Sequence, residues 1–477
     1  MKKTIIIAIL SSTLLAAGCQ GFLEEAPKLT QSSELTLSSY KGLDKAIAGA
    51  YSPLTSANWY GAYFVLEAEM RSGNAKKSPA PFDSGRMTVP SDMTYNENST
   101  SGLWGTAYYV ISAANNVIDN LEDKVTTGVT QDMLDNLHAE ALFLRALAHF
   151  DLVRLFARSY AFDSNGPGVP IILHTDLTGT EMPARSSVKQ VYEQVIVDLL
   201  EAETLIDPAY ERAGVADPRS VVTLPAIHAL LSRAYLYSQQ WQKAADYATK
   251  VINNPKFTMW TADELYDVWG VEAHTDGEVI FDVYGKPSNS YHAQWESPAQ
   301  MTSPKGYADC GAAMDIVGLY EDGDVRGELF QTDSKAPGHH WTTKYIGKGT
   351  SPHNTSNVVV LRLSEMYLNR AEAILNGATI SGVTALSDIN TITSKRGATA
   401  YTSVGADNVF LERRKELAFE GHYWFDASRT RRGIVRNDYD GIATKKDIPA
   451  DSYMFALPIS KRELDVNENL VQNEGYQ

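Results

Sequence analysis

With 477 residues and 44% hydrophobic content the chain can bury a large core, and its only cysteines, Cys19 and Cys310, exclude a disulfide framework. Its 42 basic and 58 acidic residues give a formal charge of −16, which argues against nucleic acid as a partner and leaves neutral and cationic ligands open.

The chain opens on Lys2 and Lys3, an apolar run from Ile5 to Leu10, and Leu15-Ala16-Ala17-Gly18 directly before Cys19. That order predicts a lipoprotein-type signal over 1–18, removed on maturation, with lipid (palmitate among the acyl chains) on Cys19. The apolar run falls well short of the ~20 residues that span a bilayer, whereas two or three acyl chains hold a protein at a membrane surface with very slow release. Residues 19–34, with Glu24, Glu25 and Pro27 and no helical periodicity, read as a tether, and 35–477 as a single domain. Amphipathic helices are predicted over Ser39–Tyr51, Leu103–Leu121, Met133–Phe156, Val188–Leu205, Leu224–Ser238, Trp241–Ile252, Leu361–Leu375 and Phe410–Phe425. Ser187 and Gln190 have capping-box spacing at the start of the fourth.

His228, Leu231, Ser232, Tyr235 and Ala244 fall on the spacing of the tetratricopeptide signature, with small Ser232 allowing close helix approach. Met133–Phe156 with Val188–Leu205, and Leu361–Leu375 with Ala385–Lys395, read as further helical hairpins. Two segments break the pattern, about 58–90 and about 253–358, where Gly, Pro, Ser, His and aromatic residues replace helical periodicity; a strand is predicted at Glu278–Tyr284. The fold class is therefore mostly α: helical hairpins with a large irregular, loop-rich region and a few short strands.

Three blocks carry a resemblance. Leu361-Arg362-Leu363-Ser364-Glu365-Met366-Tyr367-Leu368-Asn369-Arg370-Ala371-Glu372-Ala373, then Leu411-Glu412-Arg413-Arg414-Lys415-Glu416-Leu417-Ala418-Phe419-Glu420-Gly421-His422-Tyr423-Trp424-Phe425-Asp426, and the tail from Leu457-Pro458-Ile459 to Gly475-Tyr476 resemble the SusD/RagB nutrient-binding lipoproteins. The resemblance implies a SusD-like fold on tetratricopeptide-like units, a place on the cell surface at the outer membrane, and a role as lid over a TonB-dependent transporter of the SusC type. It also implies a glycan or oligosaccharide as the ligand. Chemically, Arg413, Arg414, Glu416, Glu420 and Asp426 are spaced to form a structural lattice of paired charges, with Tyr423, Trp424 and Phe425 as core. The chain departs from many relatives at Gly73-Asn74, where Asp commonly follows Glu69-Met70-Arg71-Ser72, so a carboxylate contact there becomes an amide contact.

The family has no fixed ligand motif, so binding candidates come from sugar chemistry, which needs flat aromatic faces and planar polar groups. Trp59, Tyr60, Tyr63, Arg71 and Asn74 supply these in the first irregular segment, and Trp269, Tyr284, Tyr291, Trp295 and Trp341, with Tyr307, in the second. Each ring taken alone fits core packing as well; their gathering in loops points to a ligand. No His-Glu-x-x-His, Gly-x-Ser-x-Gly, phosphate-binding loop or Cys-x-x-Cys occurs, so no catalytic residue is assigned and the protein reads as a binder rather than an enzyme. A helical glycoside hydrolase and a protein-binding scaffold or adhesin remain the alternatives. Cys310 reads as a small buried hydrophobe, and His339-His340 as a ligand-facing or solvated loop. Asp322-Gly323-Asp324 and Asp438-Tyr439-Asp440-Gly441 are fragments of a calcium loop, the second with Arg436 where its first carboxylate belongs; no cofactor is assigned, and structural calcium stays an alternative.

Overall fold

The computed structural model describes residues 36–99, 101–176, 178–271, 273–285, 296–348 and 355–476. The signal, Cys19, the tether, Tyr291 and Trp295 lie outside them. Helix α1 (Tyr40–Tyr51) is started by Ser39, whose side chain accepts from the Gly42 N–H. Then follow α2 (Tyr63–Ser72), α3 (Leu103–Ile118), α4 (Gln131–Phe156), α5 (Val188–Leu205), α6 (Leu224–Tyr237) and α7 (Trp241–Ile252). Helices α8 (Leu363–Leu375), α9 (Ala385–Lys395), α10 (Ala406–Glu416) and α11 (Tyr423–Arg429) complete the longer ones. The Ser187–Gln190 capping box closes both ways at the start of α5.

The hairpins pack as the spacing predicts, α4 on α5, α6 on α7 and α8 on α9, and α8 packs on α7 as well. Ser232 marks the close approach, since its hydroxyl donates to the Ala244 carbonyl at 3.0 Å and accepts from Asn369. Tyr235 fills the interior of that hairpin by stacking on Tyr247 at 5.6 Å, while Trp241 is only half-buried.

Three departures from expectation exceed a shift of a few residues at a helix end. The first irregular segment contains α2, whose Phe64, Val65, Leu66, Ala68, Glu69 and Met70 are all buried, so the helix presents no polar stripe for periodicity to reveal. The run Leu361–Leu375 begins as strand, because Leu361 and Arg362 close β6 (Val358–Arg362), paired antiparallel with β2 (Val279–Val283). The run Phe410–Phe425 is two helices separated by a turn in which Phe419 and Gly421 take φ of 64° and 79°. Leu417, Ala418 and Phe419 stay buried through that turn, so hydrophobicity hides the break. At Gly421 a Cβ would stand 3.2 Å from Val65 Cα, which explains glycine there.

The second irregular segment is partly a sheet. Strands β1 (Ala75–Lys77), β3 (Cys310–Ala312), β5 (Ala336–Thr342) and β4 (Phe330–Asp333) line up antiparallel in the order β1-β3-β5-β4. This sheet joins the two irregular segments, in strands that the sequence did not reveal. Cys310, in the middle, is fully buried and its thiol is pushed well up by burial.

The charge lattice exists, in part with the expected partners and in part with cations from elsewhere in the chain. Glu416 receives Arg362 and Arg396 at 2.7 Å and Arg326 at 3.0 Å. Glu420 receives Lys344 at 2.6 Å and Arg362 at 2.7 Å. Arg413 pairs with Asp426, as its place in the lattice predicts, and donates to Asn369, while Arg414 donates to Asn74. Burial raises the Glu416 carboxyl, and Arg396, Arg362 and Arg326 more than reverse it, holding it well below the ordinary range.

Candidate functional site

A cleft of about 320 Å³ opens between α2 and the chain that runs from α2 to α3. Tyr63 and Glu67 reach it from α2, and Arg86, Tyr95, Ser99 and Ser101 from the connection that follows, with exposed Asn58 at the rim and buried Arg71 in the floor. Arg86 ties the two irregular segments together. Its guanidinium lies 4.2 Å over the Tyr307 ring, donates to Ser84 Oγ at 2.8 Å, and sits 3.4 Å from Glu296 and 3.5 Å from Asp309. Asp309 fixes the turn by accepting from the Ser84 N–H and hydroxyl.

Burial raises the Tyr63 hydroxyl, as does its hydrogen bond to Glu296, so it stays a donor. Burial also raises Glu67, which accepts from the Tyr95 hydroxyl at 2.9 Å. The lining thus offers ring faces from Tyr63 and Tyr95, one carboxyl group, an amide and hydroxyls, the mixture that pairs with vicinal hydroxyls and the C–H face of a sugar. Of the residues singled out from sequence, Tyr63 and Arg71 line this cleft. Arg86, Glu67, Tyr95 and Asn58 were missed, because nothing in their local sequence distinguishes them from ordinary surface polar residues.

The other candidates lie elsewhere, and several are core. Trp59 is fully buried and Tyr60 nearly so, their N–H and O–H both donating to Asp151 at 2.7 Å. Trp269 packs edge-on against Trp260 at 5.6 Å beneath the Lys344 ammonium. The Trp341 indole is 2% exposed and donates to Ser78 and the Ala308 carbonyl. These rings present little or no free face. Tyr284 is half-buried, with the Lys348 ammonium 4.1 Å from its ring centre. Arg71 is 1% exposed, its guanidinium 5.2 Å from the Trp424 ring, so it supports the floor from beneath.

Asn74 is spent internally. Its amide donates to Glu69 at 2.8 Å and accepts from Arg414 at 2.8 Å, and Glu69 also accepts from the Gly421 N–H at 2.7 Å. Burial lifts Glu69 from 4.5 to about 7 against the pull of those donors. A carboxyl with a raised folded value binds a proton in the folded chain where the unfolded chain has released it, so stability falls as pH rises between these values, by at most roughly 1.4 kcal/mol per pH unit. Wild type should therefore gain on Glu69→Gln as pH drops from 7.5 to 5 in urea titrations; parallel profiles would contradict the assignment.

Among the described residues one group has the composition of a metal site, Asp217, His274 and Asp282, all buried. His274 Nδ1 lies 2.6 Å from Asp282 Oδ2, well inside the about 3.3 Å expected between ligands spread tetrahedrally at about 2.0 Å. Asp217 already accepts the N–H groups of His274 and Arg219. The cluster is an internal strut. Asp324 is taken by Arg326 and Lys415, and Asp438 by Lys76 and the Met314 N–H. His339 and His340 are half-buried on β5.

Comparison with known proteins agrees with this architecture. A family described as starch-binding and associating with the outer membrane matches residues 21–236, and the SusD family matches residues 329–476. A SusD-like protein of Formosa agariphila is 26% identical over the full length of both chains. The crystal structure of a SusD superfamily protein from Bacteroides vulgatus superposes with a TM-score of 0.82 at 29% identity, covering 92% of this chain and 99% of that one. A laminarin-binding SusD-like protein shares the fold with a TM-score of 0.72 at 21% identity, covering 92% and 100%. Two family models in chain order, a full-length relative and a shared fold place the chain in the SusD/RagB family.

Proposed function

We propose that this protein is a lipid-anchored binder at the outer-membrane surface that captures an oligosaccharide and passes it to a partner TonB-dependent transporter of the SusC type, without cleaving it. The observation that carries the reading is the cleft in which Arg86, clamped by Tyr307 and Glu296, brings both irregular segments together beside Tyr63 and Tyr95. The family's starch-binding description and the laminarin-binding neighbour support a glycan as the ligand. No described helix is long and apolar enough to cross a membrane, which is compatible with anchoring through lipid on Cys19.

Because each ring face or hydroxyl pair contributes on the order of 1 kcal/mol net, the cleft should hold its ligand in the micromolar to millimolar range. A glycan array probed with the mature protein identifies the ligand, and calorimetry measures it. Arg86→Ala and Tyr63→Ala should each weaken binding by about 5- to 30-fold, the equivalent of about 1–2 kcal/mol. Unchanged affinity in both would move the site elsewhere. New reducing ends released from the bound glycan at enzyme-like rates would replace binding by hydrolysis.

A further inference from the structure

A second cleft, of about 330 Å³, lies at the β4 edge of the four-stranded sheet. The Tyr266 ring, 38% exposed, forms one wall and receives a hydrogen bond on its hydroxyl from Gln331 at 3.0 Å. Ser303, Thr332 and Thr343 add hydroxyls, so the lining resembles the first cleft in kind: an aromatic face, an amide and alcohol groups. Each volume falls near the lower end of the range for small-molecule sites, enough for a short oligosaccharide and too little for a long one.

One short stretch of chain connects the two clefts. Thr302 to Lys305 line the second, and Tyr307 and Asp309, only a few residues on, hold Arg86 in the first. Even fully extended, the chain from Lys305 to Asp309 spans at most about 14 Å. Trp341, which lines the second cleft, packs edge-on against half-buried Phe82 at 5.5 Å, and Phe82 precedes the Ser84–Arg86 turn of the first. The ridge between the clefts is thus short and aromatic.

We propose that the two clefts form one row of subsites, and that the ligand is a neutral polyhydroxylated chain long enough to fill the Arg86 cleft, cross the ridge at Phe82 and occupy the Tyr266 cleft. This rests on the glycan-binding reading above and adds to it a ligand length and a second contact surface. Joining two weak subsites through one chain makes the second contact intramolecular, so affinity climbs with chain length until both are filled.

The test is calorimetry on the full mature protein with chain-length series of laminarin and starch oligosaccharides. In the series that binds, affinity should rise at least tenfold from the shortest bound member to the longest. The Tyr266→Ala/Gln331→Ala double variant should remove that gain and leave the shortest member's affinity unchanged, while Arg86→Ala weakens every length. Thr332→Trp, which fills the second cleft from an exposed position, should act like the double variant with an unaltered melting temperature. A flat length series, or full length gain in the double variant and in Thr332→Trp, overturns the bridging proposal; if Arg86→Ala still weakens the short members, the glycan-binding reading survives. Failure of both series at every length, together with no binding to any glycan on the array, removes both.

Discussion

Replacing Glu416 by glutamine is expected to cost about 3–5 kcal/mol, seen as a lower urea midpoint, although the side chain keeps its size. Glu416 is 3% exposed and is the common anion for Arg326, Arg362 and Arg396, all fully or almost fully buried. Removing its charge leaves five buried cations, Arg326, Arg362, Arg396, Lys344 and Lys415, to share the four carboxylates Glu278, Glu412, Glu420 and Asp324, and an uncompensated buried positive charge is far more costly than an intact pair is stabilising. The pH dependence distinguishes this from a packing defect. The folded value of Glu416 lies well below the ordinary 4.5, so its contribution is complete above that value and disappears only as pH falls through the folded one. The deficit of the variant should therefore be the same at pH 6 and pH 8 and narrow only in strong acid. A constant deficit down to acid unfolding would show that the charge is not what matters.

How far the sequence reveals this protein depends on the range of the interactions involved. Helices α5 and α7 run where periodicity places them, and the capping box at Ser187 fixes the start of α5, since both signals lie within a turn or two of the boundary. The contact of Ser232 with Ala244 is legible for a similar reason, being set by one small residue in a known spacing. Glu416 and Glu420 are recognisable as lattice members, but their arginines come from β6, from the end of α9 and from the chain before β4, out of reach of any local rule. The same limit governs the aromatic residues. Tyr63 and Trp59 stand four positions apart in one loop-rich stretch, and only the chain brought against them makes one a cleft wall and the other core. Arg86 gives no signal of its own because its role depends on Tyr307 and Glu296, over two hundred residues away.

Asp151→Ala is the second variant for which a large loss is expected, again about 3–5 kcal/mol. Asp151 is fully buried on α4, accepts from Trp59 Nε1 and the Tyr60 hydroxyl at 2.7 Å each, and pairs with Arg154 one turn along the helix. Arg154 is held among rings, with Phe150 at 4.5 Å, Phe425 at 4.6 Å and Phe64 at 5.3 Å from its guanidinium carbon. Those faces attract a cation by about 2 kcal/mol or more when desolvated, but they do not replace a carboxylate. Alanine would leave a buried cation without its anion and two donors without their acceptor. Trp59→Phe isolates one of those donors: it keeps the aromatic packing, deletes one hydrogen bond to a charged acceptor, and should cost about 1.5–3 kcal/mol in a urea titration. Because the Trp59 ring is sealed in the core by α4 and α2 rather than turned towards the cleft, glycan affinity measured on the same preparation should stay at the wild-type value. Lost affinity with unaltered stability would return Trp59 to the binding surface and overturn its assignment to the core.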